Sequence, residues 1–231
     1  MAQVDCGEES LQAQAYRIIS RQIVLANYRP GEKLTVNTLA DSLGLGRTPV
    51  RESLVRLQDA GLVKAVPHSG TYVSKIDLAD AESARYVREV METQAAVEAC
   101  ARATQEDVCR LESLICEAEA KVKDRDRRAF FELDDEFHRA VFLAAGHPRV
   151  YGWVRELCMG LDRYRWLRIL VEDLDWESIL RSHRRILAAI AARNVADAAF
   201  LVTEHLHLML EERACVVERF PQYFTNVPDQ G

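Results

Sequence analysis

LADSLGLGRTPVRESLVRLQDAGLVKAVPHSGTYV, residues 39–73, decides the fold of the first part of this chain. It reads as a helix, a tight turn, a second helix and a small hairpin. In the second helix Arg47, Thr48 and Arg51 share one face at spacings of three and four, whereas Val50, Leu54 and Leu57 fall at i, i+4 and i+7 on another. One face packs, and the other is left for a phosphate backbone or base edges. From Leu62 to Val73, two β-capable runs flank the turn Pro67-His68-Ser69-Gly70. Helix, turn, helix and hairpin in this order are the plan of a winged helix-turn-helix, whose second helix docks on duplex DNA.

Upstream, Leu11, Ala15, Ile18, Ile19, Ile23 and Val24 form a helical stripe that ends at Arg29-Pro30-Gly31. Lys33-Leu34-Thr35 reads as a short extended piece. Thr35 is placed to cap the next helix, and Gly44 to close it. Residues 1–8 are expected to be disordered. Downstream, Ser74–Asp80 is a polar joint, and strand alternation stops after Val73. Six helices are expected at 79–104, 106–123, 127–145, 148–171, 175–192 and 194–214. Their short connections imply antiparallel neighbours in a bundle. The fold class is therefore mostly α: a winged helix-turn-helix domain over 9–75, an all-α antiparallel six-helix bundle over 79–215, and a tail over 216–231.

The 231 residues carry a net charge of −6, which looks wrong for a DNA binder until it is divided. Residues 1–75 hold nine Lys and Arg against seven Asp and Glu, a net +2; residues 76–231 hold 21 against 29, a net −8. A mildly basic head on an acidic body suits local phosphate contact. No apolar run approaches the roughly 20 residues that span a bilayer, and MAQVDCGEES lacks the pattern of a signal peptide, so a cytoplasmic protein is expected. The six cysteines form no C-x-x-C pair and are expected to be reduced and mostly buried.

At the start of the second helix, Arg47 and Arg51 offer donors to guanine O6 and N7 or to phosphate, and Thr48 a hydroxyl. Pro49 is tolerated there because first-turn N–H groups have no partner inside the helix. His68, Ser69 and Gly70 at the hairpin tip are placed to reach the neighbouring groove or backbone, with Gly70 allowing close approach or a positive φ. The segment, with YRPGEKL just upstream, closely resembles the GntR family of bacterial transcription regulators. The resemblance implies that Arg47, Thr48 and Arg51 contact DNA and that His68, Ser69 and Gly70 form the wing tip. Where the family commonly has Ser ahead of the first Arg, this chain has Gly46, which caps without a side-chain oxygen.

In FELDDEFHRAVF, Asp134 and His138 sit at i and i+4 and project from one helix face. His183 and His205 belong to two other helices, and three helices of a bundle can aim such groups into one cavity. Three imidazoles and a carboxylate suit Zn, Ni or Mn with a position left open. From the residues alone, separate surface or core histidines remain the ordinary alternative. YVREVMETQAAVEACA, FFELDDEFHRAVFLAAGHPRVY and SHRRILAAIAARNVADAAFLVTEHL resemble the FCD ligand-binding domain of the FadR subfamily, and the six helices its smaller, VanR-like variant. That resemblance implies a metal held by Asp134, His138, His183 and His205 beneath a pocket for a small carboxylate effector. Arg88 is the implied effector partner, its alternative being a surface ion pair with Glu92. Tyr164 and Trp166 either line the pocket or simply pack. His207, His147, Asp135 and Glu136 are expected to face elsewhere or to be solvated.

The expected protein is a homodimeric regulator, a repressor in the usual sense, with two heads on a palindromic operator. A direct metal sensor is the alternative. A metal-dependent enzyme with a DNA-binding head is disfavoured, because no acid, base, nucleophile or phosphate loop stands at telling spacing.

Overall fold

The computed structural model describes residues 9–172 and 175–225; residues 1–8 and the last six of the expected tail lie outside them. The chain forms two compact units, residues 1–76 and 77–231.

In the first unit, α1 (Leu11–Val24), β1 (Lys33–Leu34), α2 (Val36–Leu43), α3 (Arg47–Asp59), β2 (Val63–Val66) and β3 (Gly70–Val73) follow one another. Local chemistry sets the boundaries. Thr35 Oγ1 accepts from the Thr38 N–H at 3.2 Å, and Gly44 ends α2 in the left-handed region at φ 64°. The sheet order is β1-β3-β2, all antiparallel; Val63 pairs with Val73 and Val66 with Gly70, which leaves residues 67–69 as the tip. The core is Ala15, Ile19 and Ile23 from α1, Val50 and Leu57 from α3, then Leu62, Val63 and Val73. Burying each such aliphatic side chain contributes about 1.5–3 kcal/mol.

The second unit holds α4 (Leu78–Arg102), α5 (Gln105–Lys123), α6 (Arg127–Ala144), α7 (Pro148–Leu157), α8 (Met159–Leu170), α9 (Trp176–Ala191), α10 (Val195–Glu211) and α11 (Arg213–Arg219), then a 3₁₀ turn at Pro221–Tyr223. Five of these helices open on a side-chain cap from Asp77, Thr104, Asp126, Asp175 or Asn194. At Thr104 the cap is reciprocal, because the Asp107 carboxylate returns to the Thr104 N–H. The central element is α4, about 37 Å long at 25 residues, against which α6, α7, α8, α9 and α10 all pack. Its buried face changes along its length. Arg85, Arg88 and Glu92 give way to Ala95, Ala96 and Ala99, small residues that admit close neighbours.

Two expectations about this unit change. The helix expected over 148–171 is two helices, because at Cys158 (φ −103°, ψ 12°) the N–H reaches both Val154 O and Arg155 O and the chain turns. The turn buries the Cys158 side chain, whose thiol donates to Ala84 O on α4. The expected tail is also partly ordered: α11 and the 3₁₀ turn are anchored by Val216 and Phe224, both inside the fold. Apolar residues in VVERFPQYF supply what a polar tail lacks. The cysteines depart from expectation as well. All five described are free thiols, but only Cys100 and Cys158 are buried, while Cys109, Cys116 and Cys215 are exposed. Among the described residues no helix is long and apolar enough to cross a membrane.

Candidate functional site

Two places in the fold gather chemistry. In the first unit, Arg47, Thr48 and Arg51 are exposed on the opening turns of α3. Among the described residues neither guanidinium has a carboxylate partner. Gly46 caps the helix with no side-chain bond, so the first-turn N–H groups face outward together with the arginines. At the hairpin tip His68 takes φ 59°, and Ser69 Oγ lies 2.6 Å from Tyr72 Oη, which ties the tip to β3. Gly70 takes φ 139°, so its backbone favours glycine, and the end of the flexible Lys33 side chain lies over it.

In the second unit, α6 contributes Asp134 and His138, α9 His183, and α10 His205; all four are buried. The ligand atoms of the three histidines lie within 4.8 Å of one another. His138 Nε2 and His205 Nε2 face each other at 3.3 Å. Behind the rings, His205 Nδ1 is hydrogen-bonded to Ser182 Oγ at 2.7 Å, and His138 Nδ1 is in ionic contact with Glu92 Oε2 at 2.8 Å. His183 stacks on Phe137, with centroids 4.0 Å apart and an interplanar angle of 16°. His183 Nε2 and Asp134 Oδ1 are 3.5 Å apart, and neither has a hydrogen-bond partner.

Electrostatics keep these groups ready to donate lone pairs. Burial pushes the His183 pKa down to about 3 against the pull of Asp134, and burial with the neighbouring rings pushes that of His205 well below its ordinary value. Both rings are neutral at pH 7. Burial disfavours the Asp134 carboxylate, but Arg165 together with His138, His183 and His205 outweighs it and holds the group ionised. Glu92 is likewise buried, and Arg88 and His138 hold it well below the usual carboxylate range. Imidazoles from three helices, those of His183 and His205 neutral, with an ionised carboxylate oxygen 3.5 Å from His183 Nε2, are the kind of donor set a divalent metal takes. The unpartnered His183 Nε2 and Asp134 Oδ1 are two buried polar atoms, 3.5 Å apart, that a cation would satisfy.

The other expected residues fall as follows. Arg88 is buried at 4% exposure, not at the surface. Its Nε donates to Glu92 Oε1 at 2.5 Å, and its Nη1 has no partner. The Tyr164 hydroxyl donates to Met209 O, and Trp166 meets Phe131 edge-on. Neither borders the histidines. His207 is exposed, 3.1 Å from Glu89 Oε2, and His147 caps α7 beside Glu98. Asp135 is not solvated: its side chain is 14% exposed and lies between Arg155 and Arg165.

Sequence reading passed over Glu92 as a ligand partner, Ser182, and above all Arg165, whose Nη2 donates to Asp134 Oδ2 and Nη1 to Asp162 Oδ1, both at 2.5 Å. A signal existed. MGLDRYRWLRIL has no polar stripe, its charges and aromatics being spread all round, and a helix without a wet face is enclosed.

Comparison with known proteins agrees with this architecture. Residues 11–73 match the model for bacterial regulatory proteins of the gntR family, and residues 85–208 match that of the FCD domain. An HTH-type transcriptional regulator in an unstable DNA locus of Streptomyces ambofaciens is 33% identical, over 88% of this chain and 86% of its own. The HTH-type transcriptional repressor RspR of Escherichia coli is 28% identical over 86% of each. Among solved structures, that of E. coli McbR/YncC superposes with a TM-score of 0.78, at 20% identity, over 91% of this chain and 99% of the other.

Proposed function

The chain belongs to the GntR family of bacterial regulatory proteins, with an FCD domain, and from that premise we propose that it is a metabolite-responsive repressor. It is a DNA-binding transcription regulator and not an enzyme. The finer reading runs as follows. Arg47, Thr48 and Arg51 contact the major groove and its phosphates, and His68, Ser69 and Gly70 the adjacent groove. Two copies bind the half-sites of a palindromic operator in the cytoplasm.

Asp134, His138, His183 and His205 hold a divalent metal, with zinc the best match to three imidazoles and one carboxylate, and nickel or manganese the other candidates. When bound, the ion supplies a positive Lewis-acid centre for a carboxylate. The surrounding charges favour this. Glu92, Asp134 and Asp162 against Arg88 and Arg165 leave at most one surplus negative charge, so a divalent ion turns the cluster positive and draws an anion. Arg88, with one free nitrogen, is the partner for that carboxylate.

One observation carries the reading: the ligand atoms of His138, His183 and His205, from three helices, lie within 4.8 Å of one another, and His183 Nε2 is 3.5 Å from Asp134 Oδ1. A 100-fold change in operator affinity needs only about 2.7 kcal/mol of coupling. A second reading has its own support. The cavity beside His138, His205 and Ile186 has about 10 Å³ of room, that of one water, so an organic acid enters only if side chains move. A direct metal sensor needs no such movement.

The test is a gel-shift titration on DNA selected from a random library, using tag-free protein. It is run metal-loaded, chelated, and metal-loaded with a panel of small organic acids. An acid that weakens DNA binding only with metal present supports the metabolite reading. DNA affinity that follows the metal alone supports the sensor, and affinity indifferent to both removes the regulatory role of the site.

A further inference from the structure

Asp134 is shared between two claimants. Its Oδ2 accepts from Arg165 Nη2 at 2.5 Å, while Oδ1 is buried without a partner and turned toward His183 Nε2. Arg165 is held in place from three sides: Nη1 donates to Asp162 Oδ1, Asp135 Oδ1 lies 3.9 Å away, and the guanidinium rests 5.3 Å from the Phe131 ring centroid. Its side chain and those of Asp134 and Asp162 are each at least nine-tenths buried.

We propose that Arg165 is a positioning residue which restricts Asp134 to one-oxygen ligation and competes with the metal for it. The inference rests on the metal reading above. With Oδ2 bound to Arg165, only Oδ1 is offered, and the second oxygen does not occupy the coordination position that an outside ligand needs. For Asp134 to chelate through both oxygens, Arg165 must give up one of its two strong partners, which is costly for a buried charge. Arg165 thereby weakens the metal and keeps its open face. Asp162 sets the strength of this competition, because it holds the other edge of the same guanidinium.

The test uses the full chain with Zn(II) and Co(II) as the only added ligands. Arg165→Met is expected to bind zinc about tenfold more tightly in chelator competition, opposite in sign to the roughly 10–100-fold loss that follows removal of a group supporting a metal ligand. Its Co(II) form should have a weaker visible absorption band, as the coordination number rises. Arg165→Lys restores a cation and should move both readouts back toward wild type. Asp162→Asn removes the competing charge at Nη1 and strengthens the hold of Arg165 on Asp134, should bind zinc several-fold more weakly, and serves if Arg165→Met does not fold. Folded Arg165→Met with wild-type affinity and spectrum overturns the proposal, as does Asp162→Asn with unchanged affinity. Wild-type protein that binds neither metal removes the underlying metal reading instead.

Discussion

Ser182 Oγ and His205 Nδ1 are joined at 2.7 Å, and the direction of that bond follows from a third atom. The Ser182 hydroxyl lies 2.7 Å from Ile179 O, which can only accept, so its single proton goes there. Ser182 therefore accepts from His205 Nδ1–H. The ring is fixed in the tautomer that leaves Nε2 bare, pointing at His138 Nε2. From α4, Glu92 Oε2 lies 2.8 Å from His138 Nδ1, an ionic contact behind the second ring. One hydroxyl thus sets the lone pair of His205, and one carboxylate stands behind His138.

Ser182→Ala removes the acceptor without changing backbone or volume much. Metal affinity should fall by about tenfold, since His205 is then free to rotate or change tautomer. Glu92→Gln should cost more, about 10–100-fold, and should also lower stability by about 3–5 kcal/mol, because Arg88 is left as a buried charge without its partner. Chelator competition and urea denaturation measure the two effects. Unchanged metal affinity in both variants would show that the anchors are irrelevant.

Removal of the metal should destabilise the second unit. Tag-free protein is expected to carry about one ion per chain by elemental analysis. Saturation at 100 times the dissociation constant adds about 2.7 kcal/mol, visible as a melting temperature that falls on chelation and returns with zinc. Asp134→Ala combined with His183→Ala should contain no metal and show no response to chelator. Equal metal in variant and wild type rules out these ligands.

On the first unit, Arg47→Ala and Arg51→Ala should each weaken specific DNA binding by about 1–3 kcal/mol, with the fold unchanged because both side chains are exposed. A variant contacting bases relaxes sequence preference. A variant contacting phosphate weakens all sequences alike and flattens the salt dependence. If neither changes a gel shift, α3 is not the reading helix.

Thiol labelling tests the packing around the turn between α7 and α8. Burial pushes the Cys158 pKa up to about 12, and its thiol is donated to Ala84 O. Iodoacetamide at pH 8 should label Cys109, Cys116 and Cys215 within minutes and spare Cys100 and Cys158 until denaturant is added. Rapid labelling of Cys158 would mean that α7 and α8 open readily there.

The sequence by itself determined the winged helix-turn-helix and the succession of helices. Those features rest on near neighbours: the i, i+4, i+7 stripe of Val50, Leu54 and Leu57, the caps at Thr35 and Thr104, the glycines that end helices or turn a hairpin. It also marked Asp134 with His138, because four residues on one helix is a local distance. Only the tertiary structure decided that His183 and His205 arrive at the same point, that Glu92 and Ser182 stand behind the rings, and that Arg165 holds Asp134 from 31 positions away. A charged residue reads as surface unless its partner is known, and the partner comes from another helix. Hydrophobic periodicity says which face of a helix is buried, but a buried arginine is stable only through a carboxylate that the fold, and not the neighbouring sequence, brings to it.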